Sequence, residues 1–215
     1  MPRNMPALGS EFRRQVDSAI LIAKAGELAR DALPARSAAR GELRPSRLEA
    51  IYEMAYLRIF VMWEVFLEET LIRMMCLQRS PLCTPVPQVP GTRFPSLAAA
   101  RAALYGGQRY LLWHDPGRVV ARSRAWLHLG PHELVIASQS ANLEWMASVR
   151  HRIAHGSDDA RSKFDFASMQ LAGRRYRGAS AGRLLRDADP NSVAEERWLT
   201  ILGRALGDLA LQIAP

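Results

Sequence analysis

The sequence predicts an all-α chain, and three observations lead there. Apolar residues recur at three- and four-residue steps over long stretches, the period of a helix face. Helix-capping residues and glycines fall at the ends of several of these stretches. The gaps between them carry proline and glycine, which break helices. At 215 residues the chain is long enough for one well-buried domain, and a single domain over 1–215 is expected.

Residues 11–32 form the first predicted helix, with Phe12, Val16, Ala19, Ile20 and Ala23 on one face. An Arg/Ala-rich connector with Pro34 and Pro45 follows. A long second helix is predicted over 47–77. Its main face holds Tyr56, Ile59, Phe60, Trp63, Phe66, Leu67 and Thr70, while Met54, Val61, Val65 and Ile72 make a separate stripe. Two stripes on one helix imply two burials, one of them against a partner subunit. Residues 81–95 carry five prolines and read as an irregular loop. Ser96 reads as the N-cap of a short helix through Leu104 that ends at Gly106-Gly107. Asp115-Pro116-Gly117 reads as a turn before a short basic helix. A motif-bearing helix is expected over about 131–156, from Pro131 to Gly156. Residues 157–187 show no sustained period and read as a loop with short extended pieces. Ser192 and Glu195 suggest a capping box for a last helix over about 191–213. The sum is an all-α bundle with a long irregular insertion, about 80–130, between the second and third major helices.

Composition narrows the function classes. Hydrophobic residues make up 48% and charged residues 23%, the balance of a globular chain rather than a disordered one. No apolar run reaches the roughly 18 residues of a membrane span, since Arg58, Glu64, Glu68 and Glu69 interrupt the most apolar stretch. The start, Met1-Pro2-Arg3-Asn4, lacks a signal-peptide pattern. Cys76 and Cys83 have no metal-site spacing, and a reducing cytoplasm is the expected location. The net charge is +8, and residues 150–186 hold nine Lys/Arg against three Asp. Such a block suits a polyanion, although a solvated basic face has the same composition.

The chemistry concentrates in the helix ending near Gly156. Its expected buried stripe is Val135, Ile136, Leu143, Met146, Ala147, Ile153 and Ala154, and Arg150 falls in the middle of it. A guanidinium cannot shed its proton, so a buried one needs an anionic or hydrogen-bonding partner. The bland reading is an arginine that caps the last carbonyls or reaches solvent. His155 lies five residues on, about 140° around an ideal helix, so two copies of the helix would focus both groups on one phosphate more readily than one. His151 and His155 share a face, but Arg152 stands where a zinc hydrolase has glutamate, and no metal is expected. Walker, dinucleotide and nucleophile-elbow motifs are all missing.

The string Ser148-Val149-Arg150-His151-Arg152-Ile153-Ala154-His155-Gly156 resembles the Arg-x4-His signature of the HEPN superfamily, with His151 as the polar residue after the arginine. Trp63-Glu64-Val65-Phe66-Leu67 resembles the matching helix of bacterial RiboL-PSP-type HEPN ribonucleases. The resemblance covers about 50–156. It implies an up-and-down helical bundle, a homodimer with a composite active site, and metal-independent RNA cleavage of the toxin or phage-defence kind, without a cofactor. It places catalysis on Arg150 and His155 first, then His151. Glu64 is a weaker catalytic candidate whose plain reading is a surface carboxylate. Arg152, Arg174, Arg175 and Arg177 are candidate RNA contacts. An antitoxin or defence-system partner is also implied. Ser157 stands where some HEPN toxins carry a modifiable tyrosine, so silencing at that residue is not expected. The main alternative is a HEPN module without catalysis, binding nucleotides or RNA or serving assembly. A plain DNA-binding protein is the third reading, and no helix-turn-helix with a basic recognition helix supports it.

Overall fold

The computed structural model describes residues 4–176 and 178–215. They form ten helices, and among them β-pairing is limited to isolated bridges, so the chain is all-α. The helices are α1 (Leu8–Ala32), α2 (Ala38–Glu42), α3 (Pro45–Met75), α4 (Leu97–Tyr105), α5 (Pro116–Trp126), α6 (Pro131–Ser138), α7 (Ser140–Ala154), α8 (Asp158–Ala172), α9 (Ala181–Arg186) and α10 (Trp198–Ile213). No helix among the described residues is long and apolar enough to cross a membrane.

By its contacts the chain divides into two compact units. One comprises Met1–Arg13, Met62–Glu144 and Leu206–Pro215; the other comprises Arg14–Val61 and Trp145–Ala205. Helices α1, α3, α7 and α10 each contribute residues to both.

The first unit is built on an aromatic cluster. Phe12, Trp63 and Phe66 lie with ring centroids 5.6 to 5.7 Å apart, a spacing that adds about 0.5–1.5 kcal/mol per pair beyond area burial. Helix α5 packs on α6. Asp115 is the N-cap of α5 and accepts from the Arg118 amide, with Pro116 at the first helical position, so the expected turn is in fact a helix start. Ser96 caps α4, and Gly106 ends it in the left-handed conformation at φ 53°, both as read from sequence.

His132, wholly buried on α6, is the one imidazole of this unit's core. Its Nε2 is 2.8 Å from Thr70 Oγ1 and 3.2 Å from the Leu67 carbonyl. Thr70 itself donates back to the Phe66 carbonyl at 2.7 Å, so its hydroxyl is left to accept from Nε2–H. Burial pulls the imidazole from 6.5 down to about 4, with the Leu67 carbonyl partly opposing that fall.

The second unit is held by buried charge and close backbone packing. Glu27 takes two bonds from Arg186, at 2.6 and 3.2 Å, and faces Arg197 at 3.4 Å. Burial pushes the Glu27 carboxyl up; the Arg186 bond and the surrounding arginine charges outweigh it and leave it below the usual range. Tyr56, fully buried on α3, donates to the Met146 carbonyl of α7 at 2.9 Å. Gly182 on α9 approaches α3 so closely that a Cβ would lie 2.2 Å from the Glu49 carbonyl oxygen.

All seven residues of the expected α3 face are buried. Of the second stripe, Met54, Val61 and Val65 are exposed, and Ile72 is buried. Three expectations need correction. The helix over 131–156 is two helices, broken at Gln139, where Ser138 bonds back to the Val135 carbonyl and competes with the backbone ladder. The expected loop after Gly156 is largely helix, α8 and α9. Ser192 and Glu195 form no capping box: Glu195 sits at φ 51°, Ser192 accepts from the Glu196 amide, and α10 starts only at Trp198.

Two outcomes follow for stability. An unfolded His132 binds protons below about 6.5 and the folded one only below about 4, so stability falls as pH drops through that window, by about 3 kcal/mol in all. Urea-unfolding midpoints measured from pH 7 to 5, before most carboxylates titrate, should decline in the wild type and flatten in His132→Leu. Gly182→Ala should lower stability by about 1–3 kcal/mol through overpacking against Glu49, read as a drop in thermal midpoint.

Candidate functional site

The last turn of α7 lies in the second unit and gathers four of the residues singled out from sequence. The buried positions of α7 are Leu143, Met146 and Val149, at three-residue steps. Ile153 is half-buried and Ala154 exposed, so the apolar stripe stops a turn earlier than periodicity suggests. Arg150 follows the buried Val149 and is half-buried, at the margin of the core rather than within it.

His155 lies one residue beyond the assigned end of α7, yet its amide still donates to the His151 carbonyl at 2.9 Å. The helical turn therefore runs through His155. That brings the two imidazoles onto one face, with ring centroids 4.5 Å apart and planes inclined at 50°. Arg150 precedes His151 by one residue, about 100° around the helix. Arg152 turns back toward the helix end, Nη1 lying 3.4 Å from the His155 carbonyl. Capping of the last carbonyls, considered for Arg150, is done by Arg152.

Helix α8 completes the surroundings. Ser157 is its N-cap, accepting from the Ala160 amide, so only residues 155–157 separate α7 from α8. This places Asp159 with Oδ2 3.8 Å from His151 Nε2, while Lys163 binds the same carboxylate oxygen at 2.8 Å. The His151 imidazole is held below its ordinary range. Desolvation is the largest cause, followed by the nearby His155, Lys163 and Arg150, with Asp159 pulling the other way. His151 is thus neutral at neutral pH and able to accept a proton.

The other predicted residues lie elsewhere. Arg174 sits after α8 and donates twice to the Tyr176 hydroxyl, at 2.9 and 2.7 Å, with its guanidinium carbon 4.7 Å from that ring's centroid. It also pairs with Asp187. Arg175 is exposed, and Arg177 lies outside the described residues. Glu64 belongs to the first unit and is buried, not a surface carboxylate. It accepts from the Tyr110 hydroxyl at 2.6 Å and has His114 Nδ1 at 3.8 Å.

Sequence reasoning missed Asp159, Lys163, Tyr110 and His114. The signal for the first two was present: a Ser157 cap, two aspartates in the next turn and Gly173 at the far end mark a helix. The small residues Ala160, Ala167 and Ser168 on its buried face hid the period. Among the described residues, no three His, Cys, Asp or Glu side chains converge as metal ligands. No family model matches the chain, and no curated protein or solved structure does either.

The His151–His155 contact has a direct readout. In proton NMR titrations the His151 midpoint should lie below 6.5. His155→Ala should raise it by removing a neighbouring cation, and Asp159→Asn should lower it further. Unchanged midpoints in both variants would mean that the groups do not interact in solution.

Proposed function

We propose that the chain is a metal-independent endoribonuclease of the HEPN kind, a toxin or phage-defence effector built as an up-and-down helical bundle. The observation that carries this reading is the pairing of His151 with His155 at the end of α7, with Arg150 one residue away. Two imidazoles and a guanidinium are the groups that cleavage of an RNA phosphodiester needs.

In this reading an RNA phosphate binds Arg150, whose planar fork can hold two of its oxygens. A neutral imidazole takes the 2′-hydroxyl proton as the 2′-oxygen forms its bond to phosphorus. The bond from phosphorus to the 5′-oxygen breaks, and an imidazolium gives that oxygen its proton. The products are a 2′,3′-cyclic phosphate and a 5′-hydroxyl, with no metal in the step. His155 is the first acid–base candidate and His151 its partner, the latter kept neutral by its surroundings. Arg152 and the exposed Arg175 are the RNA-backbone contacts this unit offers. The basic block of 150–186 is less open than its composition suggests, since Arg161, Lys163, Arg174 and Arg186 each pair with a carboxylate.

A homodimer with a composite site belongs to the same proposal, because exposed Met54, Val61 and Val65 give α3 an apolar stripe for a second copy. An antitoxin or defence-system partner would act on that assembly. Glu64 remains a candidate catalytic residue within the first unit.

The test is cleavage of tRNA, mRNA and rRNA by the purified protein in EDTA. Wild type should release cyclic-phosphate ends, and His155→Ala should lose about 100- to 10,000-fold in rate while keeping its circular dichroism spectrum. No cleavage by wild type on any of the three would overturn the reading in favour of a binding or assembly module.

A further inference from the structure

The end of α4 and the segment that follows it are strapped to α3 by two phenol–carboxylate bonds. Tyr105 donates to Glu68 at 2.7 Å, and Tyr110 donates to Glu64 at 2.6 Å. Glu64 and Glu68 are four residues apart, one above the other on the same helix face. Downstream, Trp113 is buried, and the Arg122 guanidinium lies over it at 5.0 Å while donating to the Leu112 carbonyl. Tyr110 is therefore fixed at its hydroxyl and flanked by a chain anchored at Leu111 and Trp113, yet its residue surface is 53% exposed.

An aromatic side chain held at its far end and about half exposed has little conformational freedom left to lose on binding. A flat ligand can stack on it at low entropic cost. The segment that carries it is basic. Residues 109–124 carry four arginines against the single Asp115. Arg109 is exposed, Arg118 is exposed with Asp115 3.4 Å from its Nε, and His114 is partly exposed beside Glu64. Exposed aromatic surface among guanidinium groups is how proteins hold unpaired nucleotides, with bases on the rings and phosphates on the cations.

We propose that Tyr110 is a stacking platform for a base of single-stranded RNA, with Arg109 and Arg118 holding the adjoining phosphates. This rests on the ribonuclease reading for the identity of the ligand and adds a contact in the first unit that the motif does not contain. The Glu64 carboxylate, in this role, is a positioning group that aims the ring.

Binding of a fluorescein-labelled 12-nucleotide single-stranded RNA to the full chain tests it, in a His155→Ala background so that no strand is cut. Tyr110→Leu keeps the bulk and removes the π-face; it should weaken binding about 5- to 150-fold. Tyr110→Phe keeps the ring and loses the tether, so its loss should be smaller. Repeating the pair with an abasic strand should erase the difference between Tyr110 and Leu, a cycle that general destabilisation would not close. Arg118→Ala should reduce the salt dependence by about one phosphate contact. If wild type cuts RNA but Tyr110→Leu binds it within twofold, the platform is overturned and the nuclease stands. If RNA is bound with this tyrosine dependence but never cut, the nuclease reading falls and the platform stands. If RNA is neither bound nor cut, both fall.

Discussion

The hydrogen bond from Tyr56 to the Met146 carbonyl is the constraint on which the candidate site depends. It is buried and ties the middle of α3 to α7 across 90 positions of sequence. Met146 is also the residue whose carbonyl, four positions back, accepts the Arg150 amide in a regular helix. The phenol therefore sets the height and rotation of α7 one turn before the motif begins. A buried phenol has no cheap alternative partner, and leaving one unpaired costs about 1–3 kcal/mol. The bond consequently favours one register of α7 over its neighbours, and the directions of Arg150, His151 and His155 follow from that register.

Much of the second unit's charge serves the same rigidity. Glu27 with Arg186 and Arg197, Ser180 with Glu49, and the Gly182 amide with Glu53 all place polar contacts where the chain returns to α1 and α3. The basic composition that suggests a polyanion partner is thus partly structural. What remains directed outward is a smaller set of arginines, together with the His151–His155 pair.

The elements that sequence made legible are those whose physics is local. The α3 face, the Ser96 cap and Gly106 stop of α4, and the Pro131 start of α6 each rest on a periodicity or a cap visible within a few residues. The His151–His155 contact was half legible, since four-residue spacing puts both on one face. Asp159 was not, because α8 buries mainly small side chains and its period is faint. The break at Gln139 was hidden because no proline or glycine marks it; a serine hydroxyl that bonds three residues back does the work instead. Tyr110 and His114 reach Glu64 from about fifty residues away, a pairing that only the folded chain reveals. The stripe Met54–Val61–Val65 was read correctly as apolar, while Ile72, a residue of the same stripe, turned inward.

The ion pair of Lys163 with Asp159 has a practical side. The chain contains only two lysines, Lys24 and Lys163, because nearly all of its positive charge is guanidinium. Amine-directed reagents thus find very few side chains to modify, and one of those sits a single carboxylate away from the His151 imidazole. Lys163 is a native labelling handle on α8, one carboxylate from the end of α7. Its acylation would neutralise a charge two contacts from the histidine pair and could be mapped by mass to one peptide. A fluorophore attached there would report occupancy of that corner without engineering a cysteine into the molecule.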